Sequence, residues 1–297
     1  MMYGLNESFD YLECSNCGCL QITDIPEEMG KYYPEDNYYS FKRNKLNFIL
    51  KNLSNRRNGY CLFKNSFVGK IINKFYPEDL FPILGCLKID CDSKILDVGC
   101  GHGTFLHNLA ELNFKNLTGI DPHIKKEVNG KNLNILKKTI DQLSDDENFD
   151  IIIFNHSFEH IKEQKETLNK AYELLSPNGR CIISMPVKTD YIWNLYGTDW
   201  VQIDAPRHFF IHTLKSFQFL CEIVNFSIEN TIFNSTEFQF LGSEQYKQGI
   251  PLNADNSHSV SLKKIMFPSK HVKNLKRKAE ILNKNQEGDQ AIFILNK

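Results

Sequence analysis

Asp97, Gly99, Gly101 and Gly103 occupy alternate positions in ILDVGCGHGTFL, Ile95 to Leu106. An apolar run enters the glycines and a helix-like pattern leaves them. Glycine is needed where a backbone turns sharply and a ligand approaches closely. The stretch therefore predicts a strand, a ligand-cradling loop that includes Cys100, and the start of a helix. A second carboxylate, Asp121 in LTGIDP, lies 22 residues after Gly99, the span of one helix and one strand. At a strand end it can accept hydrogen bonds from both hydroxyls of a ribose. Two later segments carry imidazoles. NHSFEHI holds Asn155, Glu159 and His160, and YGTDWVQIDAPRHFFIHT holds Tyr196, Asp199, Trp200, Asp204, Arg207, His208 and His212, with Trp193 just before it. A neutral imidazole can take a proton from a hydroxyl. Arginine suits phosphate or carboxylate, and aromatic faces suit sugar rings. His208 is the first choice for a general base and His160 the second, with Asp204 beside them. The bland alternatives stay open: His208 as a loop-fixing residue, and Glu159 and His160 as a helix-start charge and a packed ring. His208 and His212 are four apart, but Phe209, Phe210 and Ile211 read as extended, so no metal is expected there.

The elements that must position these groups alternate from Lys94 onward. KILDVG, LTGID, NILKKT, FDIIIFN and RCIISMP read as strands, and GTFLHNLAEL and KETLNKAYELL as helices, the second closed by a turn at SPNG. FDIIIFN is apolar throughout, as a strand covered on both faces should be. The alternation predicts an α/β fold: a Rossmann-like parallel sheet with helices on both faces and a small N-terminal appendage. Further helices are expected at Ser66 to Tyr76 and Pro77 to Leu87, with Pro77, Glu78 and Asp79 in a first turn. Thr213 should cap LKSFQFLCEIV, and FSIENTIF should pair antiparallel with AIFILNK. The expected organisation is an arm over residues 1–45, a ligand-binding domain over 46–235 and 286–297, and an insertion over 236–285 with a basic helix near Lys270 to Asn283.

The loop resembles motif I of class I S-adenosylmethionine (SAM)-dependent methyltransferases, D/E-x-G-x-G-x-G, and the resemblance extends from about Ser66 to Phe233 and the final strand. It implies that Gly99, Cys100, Gly101 and Gly103 cradle the methionine and ribose of SAM. It implies that Asp97 organises the loop and the ammonium, and that Asp121 binds the ribose. Pro122 and His123 would then lie beside the adenosine, with Ile140 and Asp141 near the adenine; Asn155 completes the cofactor set. NHSFEHI resembles the EH segment of small-molecule O-methyltransferases and of enzymes in surface-polysaccharide pathways. IDAPRHF resembles the D-x-P-x-H segment of methyltransferases in bacterial sugar pathways. Methyl transfer to a hydroxyl of a sugar, sugar nucleotide or similar small metabolite is the activity this implies. The alternatives are a quinone-like acceptor, an RNA, or a non-catalytic scaffold. A nicotinamide dinucleotide is disfavoured by Thr104, where GxGxxG requires its last glycine, and by Asp97. An adenine amine is disfavoured because Asn155 to Phe158 lack the N/D-P-P-Y/F pattern.

Cys14 and Cys17 resemble one knuckle of the four-cysteine zinc segment that precedes related sugar-pathway enzymes. The other CxxC is not present, and a structural zinc needs four ligands; Cys19, Cys61 or another cysteine could complete the set, but nothing in the spacing selects one, so no metal is assigned and zinc at these cysteines stays open. The aromatic stretch KYYPEDNYYSF is a candidate cover for the SAM pocket. The nine cysteines are an odd number without a secretory signal, which suggests reduced thiols in a cytoplasm. A net charge of -1 disfavours a broad nucleic-acid surface. No apolar run approaches the roughly 20 residues of a membrane span. The expected partner is a small, sugar-like substrate, and a homodimer is compatible with the sequence.

Overall fold

A computed structural model describes residues 4–5, 7–33, 48–257 and 267–297. The first two strands, β1 (Tyr11–Glu13) and β2 (Leu20–Ile22), form an antiparallel hairpin. Three helices follow: α1 (Phe48–Phe63), α2 (Phe67–Phe75) and α3 (Leu80–Cys86). Then come β3 (Lys94–Val98), α4 (Thr104–Ala110), β4 (Asn116–Ile120), β5 (Val128–Asn129), β6 (Leu133–Leu136) and β7 (Phe149–Asn155). The chain continues through α5 (Gln164–Leu174), β8 (Leu175–Pro186), α6 (Asp190–Tyr196), β9 (Phe210–Ile211), α7 (Leu214–Ile223) and β10 (Ser227–Phe233). It ends with α8 (Phe238–Lys247), α9 (Ser269–Lys284) and β11 (Gln290–Asn296). Eight strands form one mixed sheet in the order β10-β11-β8-β7-β3-β4-β6-β5, flanked by helices, and β1, β2 and β9 form a second sheet.

The chain clusters into two compact units. One comprises residues 35–155 and 173–181. Its β3 pairs in parallel with both β4 and β7, and β4 with β6, as the alternation predicts. Ile95, Leu96, Ile152, Ile153 and Phe154 are buried on both sheet faces. Continuous burial of this kind selects uninterrupted β-branched and aromatic runs. Ser66 caps α2, its hydroxyl accepting from the Gly69 amide at 3.0 Å. The next helix starts later than expected, at Leu80. Glu78 lies outside it and pairs with Arg57 at 2.6 Å, an attachment to α1 that replaces a place in the first turn. The turn expected at SPNG is instead the start of β8, where a Cβ on Gly179 would come within 2.9 Å of the Asp150 carbonyl.

The other unit comprises residues 1–34, 156–172 and 182–297. Here β2 pairs with β9, and β10 with β11, both antiparallel. Thr213 caps α7 in a capping box with Ser216. The first part of the expected insertion holds α8, a helix for which the sequence carries no assigned element. Phe240 on α8 and Leu282 on α9 share one core with Ile192, Tyr196, Trp200 and Val201. The basic helix is α9, longer than expected at both ends. Most of the aromatic stretch read as a cover lies outside the described residues; of it, Lys31, Tyr32 and Tyr33 are described. No helix among the described residues is long and apolar enough to cross a membrane.

Candidate functional site

In the unit that holds β3 and β4, the glycine loop leaves β3 at Val98. Gly99, Gly101 and Gly103 have φ of 76°, 53° and 69°, a region that side chains rarely tolerate. Gly103 is also sterically locked, since a Cβ there would stand 2.2 Å from Ile135 Cδ1. The Gly99 and Cys100 amides both donate to the Ile120 carbonyl, at 2.8 and 3.2 Å. That bond folds the loop back over the end of β4, where Asp121 begins.

Asp121 is buried and organises the turn. One carboxylate oxygen accepts from the Gly101 amide at 3.0 Å, the other from the His123 amide at 2.8 Å. A carboxylate offers about four acceptor sites, so two remain for hydroxyl donors. Asp97, at 4% exposure, accepts no hydrogen bond among the described residues. Burial, and then the neighbouring Asp121, push its carboxyl up to about 7. A buried acid without a donor fits a cationic ligand, which is what the amino group and sulfonium of SAM supply. The Cys100 thiol is pushed above its usual range by burial and by both aspartates, so it acts as a packed neutral group. Ile140 is buried in a short turn whose Thr139 and Gln142 cap each other and whose Asp141 is exposed, while Pro122 and Asn155 are exposed at the ends of β4 and β7. These residues fit a nucleoside ligand: rigid loop amides, a carboxylate with free lone pairs and a buried counter-charge.

In the other unit, a second cluster forms around the two histidines. The turn Phe158–His160 brings up Glu159 and His160, and Phe209 donates its amide to the Glu159 carbonyl at 2.8 Å, fixing the turn beside His208. The His160 and His208 ring centroids are 4.8 Å apart, tilted by 60°. Nδ1 of His160 lies 2.8 Å from the Arg207 carbonyl, and Nδ1 of His208 lies 2.7 Å from the Gln202 carbonyl. A carbonyl only accepts, so each Nδ1 carries the hydrogen and each Nε2 keeps its lone pair. Burial holds both rings down at about 4, so both are neutral near pH 7. Burial works to raise Glu159, but His156, His160 and His208 outweigh it and hold the carboxyl at about 2.

Asp204 has a left-handed backbone, φ 39°, and is paired with Arg207. Burial pushes its carboxyl up against the pull of that guanidinium. Its Oδ2 lies 3.8 Å from His208 Nε2. The Arg207 guanidinium sits over the Tyr33 ring, 5.7 Å from its centroid. The Tyr33 hydroxyl is 3.4 Å from His160 Nδ1, and the Tyr11 hydroxyl donates to the His208 carbonyl at 2.8 Å. Neither tyrosine was singled out from the sequence; Tyr33 belongs to the aromatic stretch, but nothing in its spacing marked it.

Two expectations are corrected. The cluster of aromatic faces does not form an open platform: Trp200 is fully buried with its indole donating to Asp289 at 3.0 Å, and Tyr196 is 7% exposed in the same core. His212 does not join His208. It is held by Gln164 at 2.8 Å and Ser216 at 2.9 Å, and stacks with Phe158 and Phe210. At the N-terminal knuckle, Cys14 is exposed, and amides of Cys17 and Asn16 lower its thiol. Cys19 faces the Leu20 carbonyl at 3.6 Å and is raised by burial to about 12.

Comparison with known proteins bears on the family and the fold. Residues 48–231 match the family model described as a methyltransferase domain. The ubiquinone biosynthesis O-methyltransferase of Rickettsia bellii (strain OSU 85-389) is 29% identical over 161 residues, covering 50% of this chain and 65% of its own length. That of Rickettsia prowazekii (strain Madrid E) is 30% identical over 125 residues, 39% of this chain and 49% of its own. The chain thus spans less than two thirds of these relatives. In fold, it is similar to a chain in the complex between the Haloferax volcanii Trm112 methyltransferase activator and a methyltransferase. That match has a TM-score of 0.51 at 13% identity, covering 81% of this chain and 96% of the other. By the match over more than half its length, the chain belongs to the family defined by this methyltransferase domain.

Proposed function

We propose that this protein is an O-methyltransferase that takes its methyl group from SAM and delivers it to a hydroxyl of a small, quinone-like or phenolic acceptor. The observation that carries the reading is the pair of neutral imidazoles, each with an Nε2 lone pair, in a chain whose glycine loop and Asp121 fit a nucleoside. The cofactor supplies an activated methyl on a sulfonium, which leaves as a neutral thioether. The protein's work is alignment and removal of one proton. Asp97 faces the positive charge, Asp121 takes the ribose hydroxyls, and the loop amides fix the rest. Nε2 of His208 or His160 accepts the hydroxyl proton as the acceptor oxygen attacks.

The relatives act in ubiquinone biosynthesis by name, which supports a phenolic acceptor ahead of a sugar. Burial of Trp200 and Tyr196 points the same way, because a sugar platform needs exposed aromatic faces. The sugar reading keeps one support, the Asp204–Arg207 pair beside His208, which suits an anionic group such as a sugar-nucleotide phosphate. The test is formation of S-adenosylhomocysteine by purified protein, given SAM with either dihydroxylated aromatic acids or nucleotide sugars. Turnover with the aromatic acceptors is expected. Turnover with nucleotide sugars alone moves the sugar reading to the front, and turnover with neither rejects both.

A further inference from the structure

Glu159, His160 and His208 present three ligand atoms within 4.8 Å of one another. All three are acceptors. Both Nδ1 atoms give their hydrogens to main-chain carbonyls, so both Nε2 atoms bring lone pairs. Glu159 Oε2 is buried and has no hydrogen-bond partner. Converging acceptors with no proton among them repel, and a buried carboxylate oxygen without a donor is left desolvated and uncompensated. A cation removes both costs.

We propose that Glu159, His160 and His208 form a two-histidine, one-carboxylate site for a first-row divalent metal ion such as Zn²⁺, Mn²⁺ or Co²⁺, with coordination positions left open for the acceptor oxygen. Two imidazoles and one carboxylate favour these ions over Mg²⁺ or Ca²⁺, which prefer oxygen donors. The Arg207 and Gln202 carbonyls play the orienting part that metal-bound histidines commonly require. Bonds of about 2.1 Å place tetrahedral ligands about 3.4 Å apart, so the cluster must contract by up to roughly 1.4 Å. His160 is the least buried of the three and the natural ring to move. The local charge is suitable: Asp204 neutralises Arg207, leaving the Glu159 carboxylate to face the ion.

This inference rests on the acceptor site proposed above and changes what its lone pairs do. The two Nε2 atoms hold the ion instead of taking the proton. An acceptor hydroxyl bound to the ion becomes more acidic and loses its proton to solvent. The resulting oxygen attacks the methyl; the new C–O bond forms as the C–S bond breaks, and the thioether leaves.

The experiment is Co²⁺ titration of chelator-treated, full-length protein, read by visible absorbance and by calorimetry. A variant with Cys14→Ser and Cys17→Ser is titrated in parallel, since thiolate ligation gives its own charge-transfer band. The proposal expects one equivalent of Co²⁺ without that band, unchanged in the cysteine variant and weakened at least about tenfold by Glu159→Gln and by His208→Asn. Because Glu159 is buried, His160→Asn is measured as a third variant, and each is checked for native circular dichroism. No uptake, or uptake that follows the cysteines and ignores these three residues, overturns it. SAM binding is measured on the same samples. Loss of Co²⁺ binding with SAM binding intact in the three variants separates this inference from the cofactor assignment, and protein that binds Co²⁺ but not SAM keeps the metal site while rejecting that assignment.

Discussion

Asp97, in β3, and Asp121, just after β4, are two buried carboxylates with opposite surroundings: Asp121 receives two main-chain amides, at 3.0 and 2.8 Å, while Asp97 receives none among the described residues. The difference divides their tasks. Asp121 is held by its two amides, and Asp97 is pushed up to about 7 by burial and by Asp121; under the proposed function the first takes the ribose hydroxyls and the second faces the positive charge.

SAM binding should therefore release a proton. Near pH 7 part of the Asp97 population is protonated, and a bound cation favours the ionised form. Affinity should rise with pH between 6 and 8, by up to about tenfold per unit at the acid end. Calorimetry in buffers of different ionisation enthalpy measures the released proton. Asp97→Asn should bind more weakly and lose the pH dependence; retention of the dependence would place the titration elsewhere.

Asp121→Ala removes the acceptor for both the Gly101 and His123 amides. At about 1.5–3 kcal/mol for hydrogen bonds to a charged group, SAM affinity should fall by roughly 10- to 100-fold. Wild-type affinity in this variant would show that the loop does not bind the nucleoside.

Gly103→Ala combines φ of 69° with a Cβ 2.2 Å from Ile135. The left-handed backbone alone costs about 1–2 kcal/mol, and the clash adds to it. Trimming the obstacle with Ile135→Val should recover part of the loss in a double-mutant cycle of denaturant melts. Additive effects would mean that backbone strain, not contact, dominates.

His212 is held down at about 4 by burial alone. Its ordinary value is near 6.5, so the unfolded chain binds the extra proton first. Its contribution to stability is present above pH 6.5 and is lost as pH falls from there towards 4, by at most about 3 kcal/mol. His160 and His208 act in the same direction. Asp289, raised to about 6, opposes them, because the folded chain holds its proton while the unfolded chain has released it. In thermal melts, the gap between wild type and His212→Asn should narrow as pH drops from 7 to 4.5. A constant gap would mean that His212 does not titrate on unfolding.

The parallel core was legible because burial on both faces leaves uninterrupted apolar runs, as in Phe149 to Asn155. The glycine loop was legible because Gly99, Gly101 and Gly103 need conformations that few residues adopt. The second cluster was only half visible. Glu159 and His208 are 49 positions apart, and their meeting depends on a main-chain bond from Phe209 to Glu159 that no periodicity encodes. Trp200 was misread because an aromatic residue in a polar loop looks the same whether its indole meets a ligand or, as here, Asp289 near the end of the chain. Glu78 reads as a helix-start charge until Arg57 claims it.

The Tyr11 hydroxyl and the His208 carbonyl it holds are 197 positions apart, and β2 pairs with β9 over a similar separation. A ribosome adding about 5–20 residues per second needs roughly 10–40 s to cover that interval. Through that time the newborn β1 and β2 hairpin has no partner. Two isolated strands are marginal in water, so the exposed Leu12 and the unpaired edge of β2 are open to any extended segment nearby. Heterologous yield should consequently depend more on translation speed and temperature than the thermodynamic stability of the finished protein would suggest.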